Sequence, residues 1–128
     1  IEHLVDPAPM VRKHVELLKP GGHAIILIPN YGGIYGRIQQ RIDPENVAIH
    51  NTSIISVAAL NALAPIDIPS DVQTFTYGRI TPWILSLDKR MPTALARIVS
   101  LGVNTLGLLQ PFAIDAVAPW LILRITRR

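Results

Sequence analysis

Cysteine is absent from all 128 residues, so the fold is held without disulfides, and no thiolate is available as metal ligand or nucleophile. That absence agrees with a reducing compartment, and the cytoplasm is the expected location. Charge is also scarce: Asp, Glu, Lys and Arg make up 16% of the chain, against about a quarter in an ordinary soluble domain. The 12 basic and 9 acidic residues leave a net charge of +3, and the basic ones are scattered, with small clusters at Arg12-Lys13, Lys89-Arg90 and Arg124 to Arg128. No cationic stripe tracks the chain, which excludes nucleic acid as an expected partner. The basic end is either a solvated terminus or a contact for an anionic membrane surface. Long apolar runs are missing too. The stretch from Ile98 to Ile114 carries no charge, but it includes Asn104, Gln110 and Pro111 and falls short of the ~20 residues a spanning helix takes. No basic segment followed by an apolar stretch and a cleavage site opens the sequence, so no signal peptide is read.

What the chain has is apolar material: 49% of its residues are hydrophobic. That is enough for one core and argues against disorder. A single domain over residues 1–128 is expected, with some apolar surface wanting a partner. Asp6 to Lys19 predicts a helix, opened by Asp6 as cap and Pro7 in the first turn and stopped at Pro20-Gly21-Gly22. His23 to Ile28, HAIILI, is an unbroken apolar run rich in β-branched residues, and it predicts a parallel strand covered on both faces. A glycine-rich loop, Pro29 to Gly36, follows. Ile34 to Ile42 reads as a short helix ending at Asp43-Pro44, and Thr52 or Ser53 caps another through about Leu63. Val72 to Tyr77 alternates as a strand does, Arg79 to Asp88 is ambiguous, Pro92 to Leu109 reads as an apolar helix, and Pro119 to Thr126 as a last strand. The alternation of helices and strands predicts an α/β fold with a central sheet.

Four features stand in register within the first thirty residues: the Glu2-His3 pair, Asp6-Pro7 opening a helix, Leu17-Leu18-Lys19-Pro20-Gly21-Gly22 ending it, and Pro29-Asn30 after the strand. Together they resemble the segment from the fourth to the fifth strand of class I S-adenosylmethionine-dependent methyltransferases. His50-Asn51 before a helix resembles a later segment of that family, and beyond about Ala64 the likeness fades. The resemblance implies a partial Rossmann-like methyltransferase sheet, strands four to seven, with flanking helices and an apolar helical insertion before the last strand. It makes Glu2-His3 the end of the fourth strand, 72–77 the sixth and 119–126 the seventh, the last one antiparallel. The family's cofactor-gripping parts, a glycine-rich loop after strand one and an acidic residue ending strand two, are not in this sequence. The chain therefore reads as the carboxyl-terminal part of such a domain, expected to be inactive and not to bind S-adenosylmethionine by itself. Gly32, Gly33 and Gly36 lack the GxGxxG spacing of a replacement cradle.

Methyl transfer from a sulfonium asks mainly for alignment of nucleophile, methyl and sulfur. A base is needed where the acceptor must lose a proton, and His3 and His50 are the candidate catalytic bases. Glu2, Asn30 and Tyr31 are the candidate substrate-binding residues, because open α/β sheets bind ligands outside the carboxyl ends of their strands. Each has a plainer alternative: His3 capping the loop, Glu2 solvated, Asn30 forming a turn. Some members of the family bind a divalent metal through a Glu-His pair and an upstream Glu; that third ligand is not in this sequence and no metal is assigned. His14 and His23 read as structural, Tyr35 and Arg37 as coating their helix, and Trp83 and Trp120 as packing.

The expected function is methyl transfer from S-adenosylmethionine, the implied cofactor, to a small-molecule acceptor. The alternative is a non-catalytic interaction module that pairs through an exposed sheet edge and an apolar helix face. A homo-oligomer and a peripheral membrane contact through Ile98 to Ile114 are the further partners considered, the second suiting a lipid or quinone acceptor.

Overall fold

The computed structural model describes residues 1–111 and 114–128; residues 112 and 113, part of the apolar run from Ile98 to Ile114, lie outside it. The described residues form an α/β fold of five α-helices and one three-stranded sheet. In chain order these are α1 (Ala8–Glu16), β1 (His23–Pro29), α2 (Ile34–Ile42), α3 (Pro44–Ala48), α4 (Val57–Asn61), β2 (Ser70–Tyr77), α5 (Thr93–Leu109) and β3 (Trp120–Arg127). The sheet order is β1-β3-β2, with β3 antiparallel to both neighbours, so β1 and β2 run the same way.

The core follows from period-2 and period-3.6 patterns meeting on one sheet face. Ala24, Ile26 and Ile28 stand opposite Ile125, Leu123 and Leu121 across the β1–β3 ladder, and Val72 faces Ile125 from the other side. Val11 and Val15, four apart on α1, and Leu60 of α4 complete a layer in which Ile28, Leu121, Leu123 and Ile125 are almost wholly buried. Each such side chain contributes about 1.5–3 kcal/mol relative to exposure.

The helix, turn and strand around Lys19 to Gly22 form in the predicted order, with α1 starting at Ala8 and ending at Glu16, inside the expected bounds of Asp6 and Lys19. Asp6 Oδ1 accepts the Ala8 N–H at 3.1 Å, and the turn closes with Gly22 N–H on the Lys19 carbonyl at 2.8 Å and Gly21 at a φ of +79°. The C-terminal arginines are not a loose basic tail. Arg127 Nη1 donates to the Glu16 and Leu18 carbonyls at 2.9 and 2.6 Å, capping the end of α1, and Arg128 pairs with Asp71.

Three expectations are corrected. Residues 1–4 end no strand: they form a turn closed by Leu4 N–H on the Ile1 carbonyl at 3.0 Å, so the sheet has three strands among the described residues instead of four. β1 is neither parallel to its neighbour nor covered on both faces, because helices lie against the Ala24–Ile26–Ile28 side while Ile25 is 67% exposed on the other. An unbroken apolar run carries no information on which side is covered. The helix expected from Thr52 to Leu63 is divided into a 3₁₀ turn at Thr52–Ile54 and the short α4, each with its own cap, Asn51 and Ser56. The break at Asp43-Pro44 ends α2 at Ile42 as expected, and the same two residues also start α3: Asp43 accepts the Asn46 N–H at 3.3 Å and proline takes the first helical position.

The ambiguous segment from Arg79 to Asp88, with the two residues after it, has little regular structure beyond a 3₁₀ turn at Leu87–Lys89, and α2 holds it through polar bonds. Gln39, wholly buried, donates to Ser86 Oγ at 3.1 Å and accepts the Ser86 N–H at 3.2 Å. Tyr35 accepts the Thr81 N–H at 2.8 Å. Lys89 pairs with Asp43 at 2.7 Å and Arg90 donates to the Ile42 carbonyl at 2.9 Å. The apolar helix then follows as α5, close to its expected bounds.

Candidate functional site

The turn at residues 1–5 would be loose without a clamp, and Asn51 supplies it. Its N–H donates to the Glu2 carbonyl, and its side-chain amide donates to the Leu4 and Val5 carbonyls at 2.8 and 3.1 Å. The same side chain's oxygen accepts the Ser53 N–H at 3.2 Å, so one residue both caps the 3₁₀ turn and pins the first residues to it. His3 joins from the pinned turn, its Nδ1 3.0 Å from the Ile49 carbonyl. His50 enters from the end of α3, its Nδ1 2.6 Å from the Asn46 carbonyl. A carbonyl only accepts, so in each ring Nδ1 carries the hydrogen, and the neutral imidazole keeps its lone pair on Nε2.

The two rings lie 4.5 Å apart, tilted by 52°. Tyr31, two residues beyond the end of β1, stacks edge-on against His50 at 5.0 Å. Its hydroxyl accepts from Asn46 Nδ2 at 3.1 Å. Burial is the main cause holding the Tyr31 phenol above its ordinary value, with Asp43 and Glu2 adding to it against the Asn46 hydrogen bond, so near neutrality it remains an O–H. Gly36 sets the loop's path: a Cβ there would sit 1.8 Å from the Tyr31 carbonyl oxygen, so the glycine is a close-approach residue rather than a flexible one. Glu2 Oε1 lies 3.8 Å from His3 Nε2. Partial burial pushes the Glu2 carboxyl up, but a backbone hydrogen bond and the Ile1 amino group, 3.0 Å from Glu2 Oε2, with a smaller contribution from His3, outweigh it and hold the group below its usual range.

Glu2, His3 and His50 thus present one carboxylate and two imidazoles whose ligand atoms all fall within 4.8 Å of one another. A cleft of about 300 Å³ runs beside them, lined by His3, Leu4, Val5, Ile49, His50 and Asn51. Such a set can take a proton from an acceptor hydroxyl, orient it, or, by the nature of its donors, hold a divalent cation.

Four of the five expected site residues, Glu2, His3, Tyr31 and His50, therefore meet at one place. Asn30 does not join them. It is buried at the end of β1, where its amide donates to the Ala118 carbonyl at 3.0 Å and its N–H to the Pro119 carbonyl at 2.8 Å. Asn46 and Asn51, which organise the site, carry no chemistry that a motif search would single out. The available signal was the position of Asn51 just before Thr52-Ser53, a capping pattern. His14 and His23 bond within the fold, to the Met10 carbonyl at 2.8 Å and Thr126 Oγ1 at 2.9 Å. Trp83 touches Trp120 with ring centres 5.8 Å apart, yet it is 78% exposed.

No protein-family model, no curated protein and no solved structure matches the chain.

Proposed function

We propose that the chain is the acceptor-binding part of an S-adenosylmethionine-dependent methyltransferase acting on a small molecule with an ionisable hydroxyl. The observation that carries this reading is the convergence of Glu2, His3, His50 and Tyr31 beside the carboxyl end of β1. Ligands of open α/β sheets bind outside those ends. The motif pattern over residues 1–30 supports it, and so does a last strand reversed against two co-directed ones, the arrangement that the resemblance to class I methyltransferases implies.

In this reading the Nε2 of His50 or His3 takes the acceptor's hydroxyl proton. The cofactor would supply an electrophilic methyl group on a sulfonium; no residue of this sequence is assigned to hold it, and the residues here would present the acceptor oxygen to it. Glu2 stabilises the imidazolium, and Tyr31, whose hydroxyl donates to the Ile84 carbonyl at 3.4 Å and accepts from Asn46, packs edge-on against His50 and holds its ring in place. Asn30 positions the loop without touching substrate. Where a divalent cation is bound, Glu2, His3 and His50 would hold it, and it would lower the pKa of a coordinated hydroxyl.

The test is a kinetic series in the complete enzyme. His50→Ala and His3→Ala are expected to lower turnover by about 10²–10⁴-fold in the more important of the two, the usual range for a general base. Cofactor affinity and thermal transition should stay close to the parent's. Unchanged turnover in both variants would refute the assignment.

A second reading, an interaction module, is favoured by the uncovered sheet face. Ile25, Leu27, Phe75 and Tyr77 are exposed there, and β1 has no partner on its outer edge among the described residues. Sedimentation of the chain distinguishes the two: a tight, Ile25→Asp-sensitive complex without methyl transfer in the complete protein favours the module.

A further inference from the structure

Helix α5 is built the wrong way round for a soluble helix. At 100° per residue, Leu95, Ile98, Leu101, Gly102, Leu106 and Leu109 fall on one arc. The opposite arc carries Ala96, Ser100, Val103 and Gly107. The small-residue side faces the protein: Ala96 and Gly107 are the helix's buried positions, and a Cβ on Gly107 would meet the Ile80 carbonyl oxygen at 2.4 Å. The leucine-rich side faces outward, with Leu101 71% exposed and Ile98, Leu106 and Leu109 similarly bare.

Arg97 is the cation that α5 itself carries and it is exposed, whereas Lys89 is paired with Asp43 at 2.7 Å and Arg90 is bonded to the Ile42 carbonyl at the end of α2. Arg97 and the exposed Trp83 border the same cleft of about 540 Å³ beside Leu101, with Asp88 on its lining as well. Among the described residues no helix is long and apolar enough to cross a membrane. α5 has 17 residues, about 25 Å at 1.5 Å each.

We propose that the outward face of α5, with Trp83 at its edge, seats the chain on an anionic phospholipid surface. A helix lying in the plane of the interface buries an apolar arc among acyl chains, while flanking cations reach headgroup phosphates and an aromatic ring sits at the boundary. α5, Arg97 and Trp83 supply these three parts. A second copy of the chain is the rival occupant, and the experiment below separates it from lipid. The proposal stands apart from methyl transfer and does not need it.

The experiment is co-sedimentation of the chain with vesicles of phosphatidylglycerol and phosphatidylcholine, and with phosphatidylcholine alone. The expected result is binding to the anionic vesicles, weaker at high salt, with a blue shift in Trp83 fluorescence in a Trp120→Phe background. Ile98→Asp with Leu101→Asp should abolish binding, and Arg97→Glu should weaken it about fivefold or more. These positions are exposed, so thermal transitions like the parent's are expected and show that the variants fold. Three results would overturn the proposal: no binding to anionic vesicles, binding indifferent to the aspartates, or a dimer that the aspartates dissolve in a chain that ignores lipid.

Discussion

The two ends of this molecule are held by different forces. Around β3, apolar side chains from α1, α4 and all three strands close over one another, and Val11, Val15, Leu60, Leu123 and Ile125 are inaccessible to solvent. Around α5 the apolar side chains point outward, and the segment leading to it hangs on α2 by Gln39, Tyr35 and Asp43 through hydrogen bonds and an ion pair. Hydrophobic burial scales with area removed from water, whereas each polar bond adds only about 0.5–1.5 kcal/mol net. The sheet end should therefore set global stability, and the α5 end should be the part free to be used as a surface.

The largest expected effect tests that division. Leu123→Ala removes a fully buried side chain from the central strand and should cost about 2–5 kcal/mol in urea unfolding. Leu101→Ala, the same chemical change on α5, should stay within about 0.5 kcal/mol of the parent, as surface substitutions do. Equal losses would mean that α5 is packed in solution and the contrast is wrong.

Asn30→Ala comes next. The residue sits at the join, tying the end of β1 to the Ala118-Pro119 approach to β3. Losing its side chain leaves a buried carbonyl without that donor, a cost of about 1–3 kcal/mol. A lower unfolding midpoint with unaltered acceptor KM in the complete enzyme would make it a structural tie. A raised KM at an unaltered midpoint would return it to the acceptor pocket.

The sheet end was legible because its forces are periodic. Alternation marked β2 within two residues of its observed start, β-branched residues marked β1, and Pro20-Gly21-Gly22 marked the turn between α1 and β1. What periodicity does not encode is which face a strand buries, and so Ile25 and Leu27 were assigned to a covered side that the described residues leave open. The segment from Arg79 to Asp88 was illegible for a related reason: its order comes from single side chains of α2, Gln39 above all, bonded to backbone some 47 residues away. The site shows the same split. Glu2, His3, His50 and Tyr31 could be named from residue type and from the family resemblance, but of the residues that bring them together only Asn51 left a sign, its place before Thr52-Ser53, and Asn46 left none. Arg127 belongs with them, since a terminal arginine reads as solvated until the carbonyls it caps are seen.

The smallest expected effect concerns the edge of the well-packed end, where Arg12 of α1 holds Asp67 in the loop before β2. Arg12 Nη1 and Nη2 donate to the two carboxylate oxygens at 2.7 and 2.6 Å, a two-pronged pair on the surface. The Arg12 hydrogen bonds bring the Asp67 carboxyl down to about 2 from an ordinary 3.8, with a backbone hydrogen bond helping. A carboxyl whose folded value is depressed stabilises the fold above its unfolded value and loses that contribution as pH falls through the folded one. The pair's share should therefore be complete above about pH 4 and gone below about pH 2. Both partners are solvent-exposed and screened by salt, so Asp67→Asn should scarcely move the unfolding midpoint at pH 7. The sharp readout is the carboxyl's own titration by NMR, expected near 2 in the parent and moving back toward 3.8 in Arg12→Ala. A midpoint near 3.8 in the parent would show that the pair does not persist in solution, and α1 would then be held to the sheet end by Val11, Val15 and the Arg127 cap alone.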